Sequence, residues 1–156
     1  MIMKTFRAKV GNMDAFTNMY VIADEVTKEG IIIDPAAGID KIVNYIENMG
    51  IKLKYIMLTH CHADHIAGLR AMRREYPRVP IVLNEDDKEG MIDESINMSD
   101  YIGIENNFPD ADILVKDGDV IEFGDLKANI IHTPGHTCRK HVYINKRCLV
   151  FRRHNV

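Results

Sequence analysis

Thr59-His60-Cys61-His62-Ala63-Asp64-His65 sets three imidazoles and a carboxylate into one short stretch of chain. Just before it, Tyr55-Ile56-Met57-Leu58 is an apolar run that reads as a buried strand. If the backbone stays extended as it leaves that strand, His60 and His62 project to the same side, because side chains alternate with period two. A shared side suits two nitrogens on one ion. Asp64 and His65 then fall where a helix begins, which turns a carboxylate oxygen and a third imidazole toward a neighbouring point. A second histidine-bearing turn, Thr133-Pro134-Gly135-His136, follows another apolar run further along. A lone histidine in a loop is usually just solvated, but four ligand-type side chains packed this tightly point to a metal site, and their spacing to two ions. Nitrogen and oxygen donors without thiolates favour zinc, iron or manganese over a cysteine-rich structural zinc site.

With these residues the sequence resembles the metallo-β-lactamase superfamily, whose signature is His-x-His-x-Asp-His followed by a distant Gly-His. The resemblance runs from about Asn18 to Thr137 and is closest to the glyoxalase II-like hydrolases. Ile31-Ile32-Ile33-Asp34-Pro35, Leu58 to Gly68 and Ile131-His132-Thr133-Pro134-Gly135-His136-Thr137 carry it. It implies an α/β fold, the αββα sandwich of that family, with the C-terminal part incomplete. Carried over position by position, it implies that His60, His62 and His136 hold a first metal and that Asp64 and His65 contribute to a second. The cofactor so implied is Zn2+, one ion or two, with iron or manganese as alternatives.

The chain departs from the family where the second ion's remaining ligands are expected. The family's bridging aspartate lies in a Gly-Asp-Thr segment after the strand that follows the Gly-His turn; here Arg147 to Phe151 runs into Arg152-Arg153-His154-Asn155-Val156, and His154 stands at about the aspartate's place. The family's last histidine has no counterpart. Arg139-Lys140-His141 replaces the usual Gly-Ser and small apolar residue. Codons for Arg-Arg-His read one base later can spell Gly-Asp-Thr, and those for Arg-Lys-His can spell Gly-Ser-Thr, against ordinary divergence and truncation; sequencing the gene decides between them. The expectation is a C-terminally truncated family member whose closing strands are missing. An uncovered second sheet, between Ile130 and Phe151, is then expected to promote self-association.

The 156 residues, 46% hydrophobic and 28% charged, fit one globular domain spanning 1–156. A net charge of −3 gives no reason to expect nucleic acid as a partner. Arg70, Arg73, Arg74 and Arg78 read as the solvated face of the helix after the metal motif. Three cysteines, an odd number, argue against a disulfide framework; Cys61 alternates with the two histidines and is expected to point away from the metal, and Cys138 and Cys148 to be reduced and structural. No opening stretch reads as a signal peptide or membrane span, so the cytoplasm is the default and no membrane partner is expected.

Along the chain, Lys4 to Val10 and Asn18 to Ala23 read as paired strands and Ile31 to Asp34 as a third. Ile39, Ile42, Val43, Ile46 and Met49 repeat at helical spacing up to Gly50. Ile66, Leu69 and Met72 mark a helix that ends by Pro77, and Pro80 to Leu83 a short strand. Residues 85–110 are the least regular: either a flap or helical excursion beside the site, or core packing of their scattered apolar residues. Ile113 to Val115, Val120 to Phe123 and Leu126 to His132 complete the strands.

The resemblance and the metal together imply a hydrolase that uses a metal-bound hydroxide on an ester-like small molecule, most naturally a thioester, with Asp64 orienting the hydroxide as well as ligating. The absent bridging aspartate implies an impaired enzyme. Two alternatives stay open: a non-catalytic metal-binding remnant, and a mononuclear-iron sulfur dioxygenase of the same superfamily.

Overall fold

Alternation along the central strands explains the architecture. The computed structural model describes residues 1–132, 140–145 and 149–150. Strand β1 (Ile2–Ala8) pairs antiparallel with β2 (Thr17–Ala23), and β2 with β3 (Glu29–Ile33). From β3 the sheet continues in parallel: helix α1 (Asp40–Asn48) crosses to β4 (Lys52–Met57), α2 (Ala63–Ile66) and α3 (Leu69–Glu75) lead to β5 (Ile81–Asn84), and a helical excursion containing α4 (Glu94–Asn97) and α5 (Ser99–Ile102) leads to β6 (Ile113–Val115). Parallel neighbours need such crossovers, because one strand's end must be carried back to the next one's start. The result is a six-stranded sheet ordered β1-β2-β3-β4-β5-β6. A second, antiparallel sheet follows from β7 (Val120–Phe123), β8 (Leu126–His132), β9 (Lys140–Asn145) and β10 (Leu149–Val150), ordered β10-β9-β8-β7.

Two cores result, one on each face of the larger sheet. Val21, Ile32, Ile56, Ile81 and Leu83 point to the side covered by Ile42 and Ile46 of α1 and Leu69 and Met72 of α3. Their strand neighbours Ile22, Ile31, Ile33, Met57 and Val82 point the other way, onto Phe123, Leu126, Ala128 and Ile130 of the second sheet. Strands buried on both faces read as unbroken apolar runs, which is why Ile31-Ile32-Ile33 carries no polar residue. Among the described residues the layers are helix, sheet, sheet, the mixed α/β arrangement expected from the sequence.

Boundaries shift modestly. The first strand stops at Ala8 because a turn closed by Met13 N–H to the Val10 carbonyl takes over. The helix after the metal loop is split at Ala67-Gly68, where the Gly68 N–H turns away to donate to the Pro35 carbonyl. Strand β9 was not foreseen. Of the arginines on α3, Arg73 is engaged rather than merely solvated: it pairs with Asp112 and donates to the Val79 carbonyl, while Arg70 lies 3.7 Å from Glu105.

The excursion at 85–110 forms short helices beside the metal loop and also packs part of its apolar set into the helix-side core, with Met91 and Ile102 buried there and Ile104 and Phe108 against them. Two glycines allow the approach. A Cβ on Gly90 would overlap Cys61 Sγ, and one on Gly11, itself at φ +57°, would overlap the Ile102 carbonyl oxygen. The Asn12 N–H donates to that same carbonyl at 3.0 Å.

The two sheets are also tied by a carboxylate. Glu29 accepts from the Gly124 N–H at 2.8 Å, in the turn between β7 and β8, and from Lys54 at 3.3 Å; these donors hold its pKa below the ordinary value. Asp24, in the preceding turn, accepts from the N–H groups of Thr27 and Val26, each at 2.8 Å, and is likewise lowered. A carboxyl whose folded pKa is depressed adds stability above its unfolded value and loses it as pH falls through the folded one. Melting temperature should therefore drop as pH is lowered below about 4, and Glu29→Gln should flatten part of that drop. An unchanged pH profile in the variant would remove Glu29 from the account.

Candidate metal centre

The site end of the larger sheet is set by its parallel strands. Strands β3 and β4 finish side by side, with Ile33 opposite Met57, so Asp34 and the loop from Leu58 leave the sheet together. Strand β2 runs the opposite way, with Tyr20 opposite Ile33, and its first residue, Thr17, therefore reaches past the end of β3 to the same edge. Helix α2 starts there, and β2 packs against it.

His60 and His62 are both buried, with ring centroids 4.6 Å apart, as expected of alternate residues on extended backbone. His62 keeps an extended conformation (φ −63°, ψ 137°) as it hands the chain to α2. Asp64 and His65 lie on that first turn, Asp64 buried, and the His65 ring centroid is 4.2 Å from that of His60. The Nε2 of His65 is 3.4 Å from Asp64 Oδ2. His136, and His154 with it, lies outside the described residues. Cys61 points away from the rings, as expected: its thiol is buried in the helix-side core, 3.5 Å from Asp87 Oδ1.

Asp34 gives this cluster its rigidity, and the sequence reading assigned it no role. Its Oδ1 accepts from the Thr59 N–H at 2.8 Å. Its Oδ2 accepts from the Thr59 hydroxyl at 2.6 Å and contacts His65 Nδ1 at 2.9 Å. An ionised carboxylate only accepts, so His65 Nδ1 is the donor. The Thr59 hydroxyl gives its one hydrogen to Asp34; toward His60 Nδ1, 2.9 Å away, it can only accept, and His60 Nδ1 donates in turn. Each ring, when neutral, therefore carries its lone pair on Nε2. Fixing an imidazole tautomer from behind with a carboxylate is how metal-ligating histidines are prepared.

One donor atom each from Asp34, His60 and His65 falls within 4.8 Å of the others. His62 and Asp64 fall outside that group. Since both oxygens of Asp34 are engaged in holding Thr59 and His65, it acts as their support, which leaves the Nε2 atoms of His60 and His65, with the Asp64 carboxylate 3.4 Å from the latter, as the donors an ion would meet. That donor set fits a divalent cation of borderline hardness. Thr17, also missed from sequence, donates its hydroxyl to Asp64 Oδ2 at 2.8 Å. Nothing local signals that role, since 47 residues separate the two. Asp34 had a signal: a carboxylate ending a run of buried isoleucines is costly unless it is engaged.

Known proteins resemble this chain in sequence and fold. The sequence profile of the Metallo-beta-lactamase superfamily matches residues 13–146. A probable metallo-hydrolase of Bacillus subtilis, YqgX, is 32% identical over 136 residues, 86% of this chain and 62% of that one. A hydroxyacylglutathione hydrolase of Pelagibacter ubique is 30% identical over 118 residues, 76% and 41% of the two chains. The human mitochondrial persulfide dioxygenase ETHE1 is 30% identical over 122 residues, 78% and 40%. This chain thus spans between about two fifths and three fifths of the length of these relatives. Among solved structures, the BLEG-1 B3 metallo-beta-lactamase superposes with a TM-score of 0.76 at 25% identity, covering 92% of this chain and 68% of that one. No helix of the described residues is long and apolar enough to cross a membrane. The chain belongs to the metallo-β-lactamase superfamily.

Proposed function

We propose that this chain is a metal-dependent hydrolase of ester-like small molecules, with a thioester of the hydroxyacylglutathione type as the leading substrate. The observation that carries the reading is the pair His60 and His65, each held at Nδ1 from behind, with His65 Nε2 facing the Asp64 carboxylate. His60, His62 and His136 would hold a first divalent ion, and Asp64 and His65 would contribute to a second. A bound ion supplies Lewis acidity, lowering the pKa of water toward ~7 and drawing electron density from a carbonyl oxygen. The chain's own residues do the positioning. Asp34 and Thr59 fix the two imidazoles, and Asp64 accepts a hydrogen from the attacking water and so aims its oxygen. No serine or cysteine nucleophile is required, and Cys61 is turned into the core.

Because His154 stands where the family carries a bridging aspartate, the first ion should be held more tightly than the second and turnover should be low. The test is elemental analysis after dialysis, followed by thiol release from a hydroxyacylglutathione thioester with zinc, iron or manganese restored. About one ion per chain and thiol release that a chelator abolishes are expected. Thiol release untouched by a chelator would overturn the metal reading. The similarity to a persulfide dioxygenase supports a second reading, an iron-dependent sulfur oxidation; oxygen uptake with glutathione persulfide in the iron-loaded protein, without thioester hydrolysis, would favour it.

A further inference from the structure

The geometry points to Thr17 as a positioning residue that sets Asp64 for the second metal position. This inference rests on the metal reading of the site. Thr17 and Asp64 are each 6% exposed, and the Thr17 hydroxyl donates to Asp64 Oδ2 at 2.8 Å. That oxygen also lies 3.4 Å from His65 Nε2, so it is the one turned toward the lone pair with which His65 would bind. A carboxylate oxygen has two acceptor directions. Thr17 occupies one and leaves the other aimed into the space beside His65.

The hydroxyl does more than fill a gap. Asp64 sits on a four-residue helix, too short to fix its own side chain, and its backbone belongs to α2 while its restraint comes from β2. Thr17 opens β2 and pairs there with Ala8 of β1, and β3 joins the strand from Tyr20 onward, so the restraint is anchored in the larger sheet. The support is parallel to that of Asp34 beneath His65: each of the two side chains assigned to the second position is held from behind by a buried polar group on a different strand end. Losing such an outer partner typically weakens metal affinity by 10–100-fold.

The experiment compares metal-free wild type with Thr17→Val, which keeps the shape and the strand preference but not the donor, and Thr17→Ser, which keeps the donor. Thr17→Ala is a second donor-free variant should the valine disturb packing. Each is titrated with Zn2+ and Mn2+ against a chromophoric chelator, and its metal-free melting temperature is recorded. The expected result is a tighter equivalent of equal affinity in all variants and a weaker equivalent reduced about tenfold in Thr17→Val and Thr17→Ala. Thr17→Ser should bind and melt as wild type does, while metal-free Thr17→Val, which leaves a buried carboxylate oxygen without its donor, should stay folded and melt a few degrees lower. Equal affinities throughout, or Thr17→Ser weakened as much as Thr17→Val, would overturn the proposal, as would a wild type that takes up one equivalent unaffected by Thr17→Val; the metal reading would survive each of these. A wild type that binds no ion would overturn that reading as well.

Discussion

His60→Ala is expected to leave a folded protein that no longer retains a divalent ion and has no measurable metal-dependent hydrolysis, and His62→Ala to do the same. Each removes a ring from the pair whose centroids lie 4.6 Å apart. A ligand is lost outright, so the effect should exceed the 10–100-fold that follows from losing a mere outer partner. The fold should persist, because the apolar cores on either side of the larger sheet do not depend on either ring. Elemental analysis and circular dichroism on the same sample make the check: metal retained at wild-type stoichiometry would show that the ion is held elsewhere, and a lost fold would show that the rings carry structure.

Asp34→Asn should be nearly as damaging while leaving the ligands in place. Asp34 lies at φ +53°, a conformation asparagine tolerates better than most residues, so the backbone turn survives. The chemistry does not. The aspartate accepts at both oxygens, whereas an amide has only one accepting atom. Whichever way it turns, the NH2 meets a donor: either the Thr59 N–H, or the Thr59 hydroxyl and His65 Nδ1. An affinity loss of about 10–100-fold is expected, read by competition with a chelator. Asp34→Ala should be less stable still, since alanine adds about 1–2 kcal/mol of left-handed backbone strain to the lost bonds. Wild-type affinity in Asp34→Asn would mean that the histidines orient themselves without it.

Much of the fold was legible because the core strands obey a simple rule. Ile31 and Ile33 serve one core and Ile32 the other, and only a strand covered on both faces can use three isoleucines in succession. The motif from His60 to His65 was legible for a related reason: its members are neighbours in sequence, so local geometry alone brings them together. What escaped has long sequence separation. Thr17 meets Asp64 only through antiparallel pairing of β2 with β3 and the parallel placement of β4, and no period in the sequence encodes either. The split of the helix at Gly68 escaped likewise, because its cause, the Pro35 carbonyl, lies more than 30 residues upstream. Strand β9 was hidden by the charged residues at its start, which read as a departure from the family pattern and not as a strand.

The glycines that seat the helical excursion make the neighbourhood of the metal loop one-sided in its tolerance to change. At Gly90 and Gly11 the facing atoms, Cys61 Sγ and the Ile102 carbonyl oxygen, already occupy the space a side chain would need. Even a single added methyl forces one segment off the other, and overpacking of this kind costs about 1–3 kcal/mol. On the outward side of the same excursion Ile92 and Tyr101 are 74% and 75% exposed, where trimming or exchanging a side chain alters little that is packed. Substitution here is thereby one-directional: the outer surface beside the site can change its chemistry, while the inner seams admit no new volume, and the one at Gly90 keeps the excursion at a fixed distance from the metal loop.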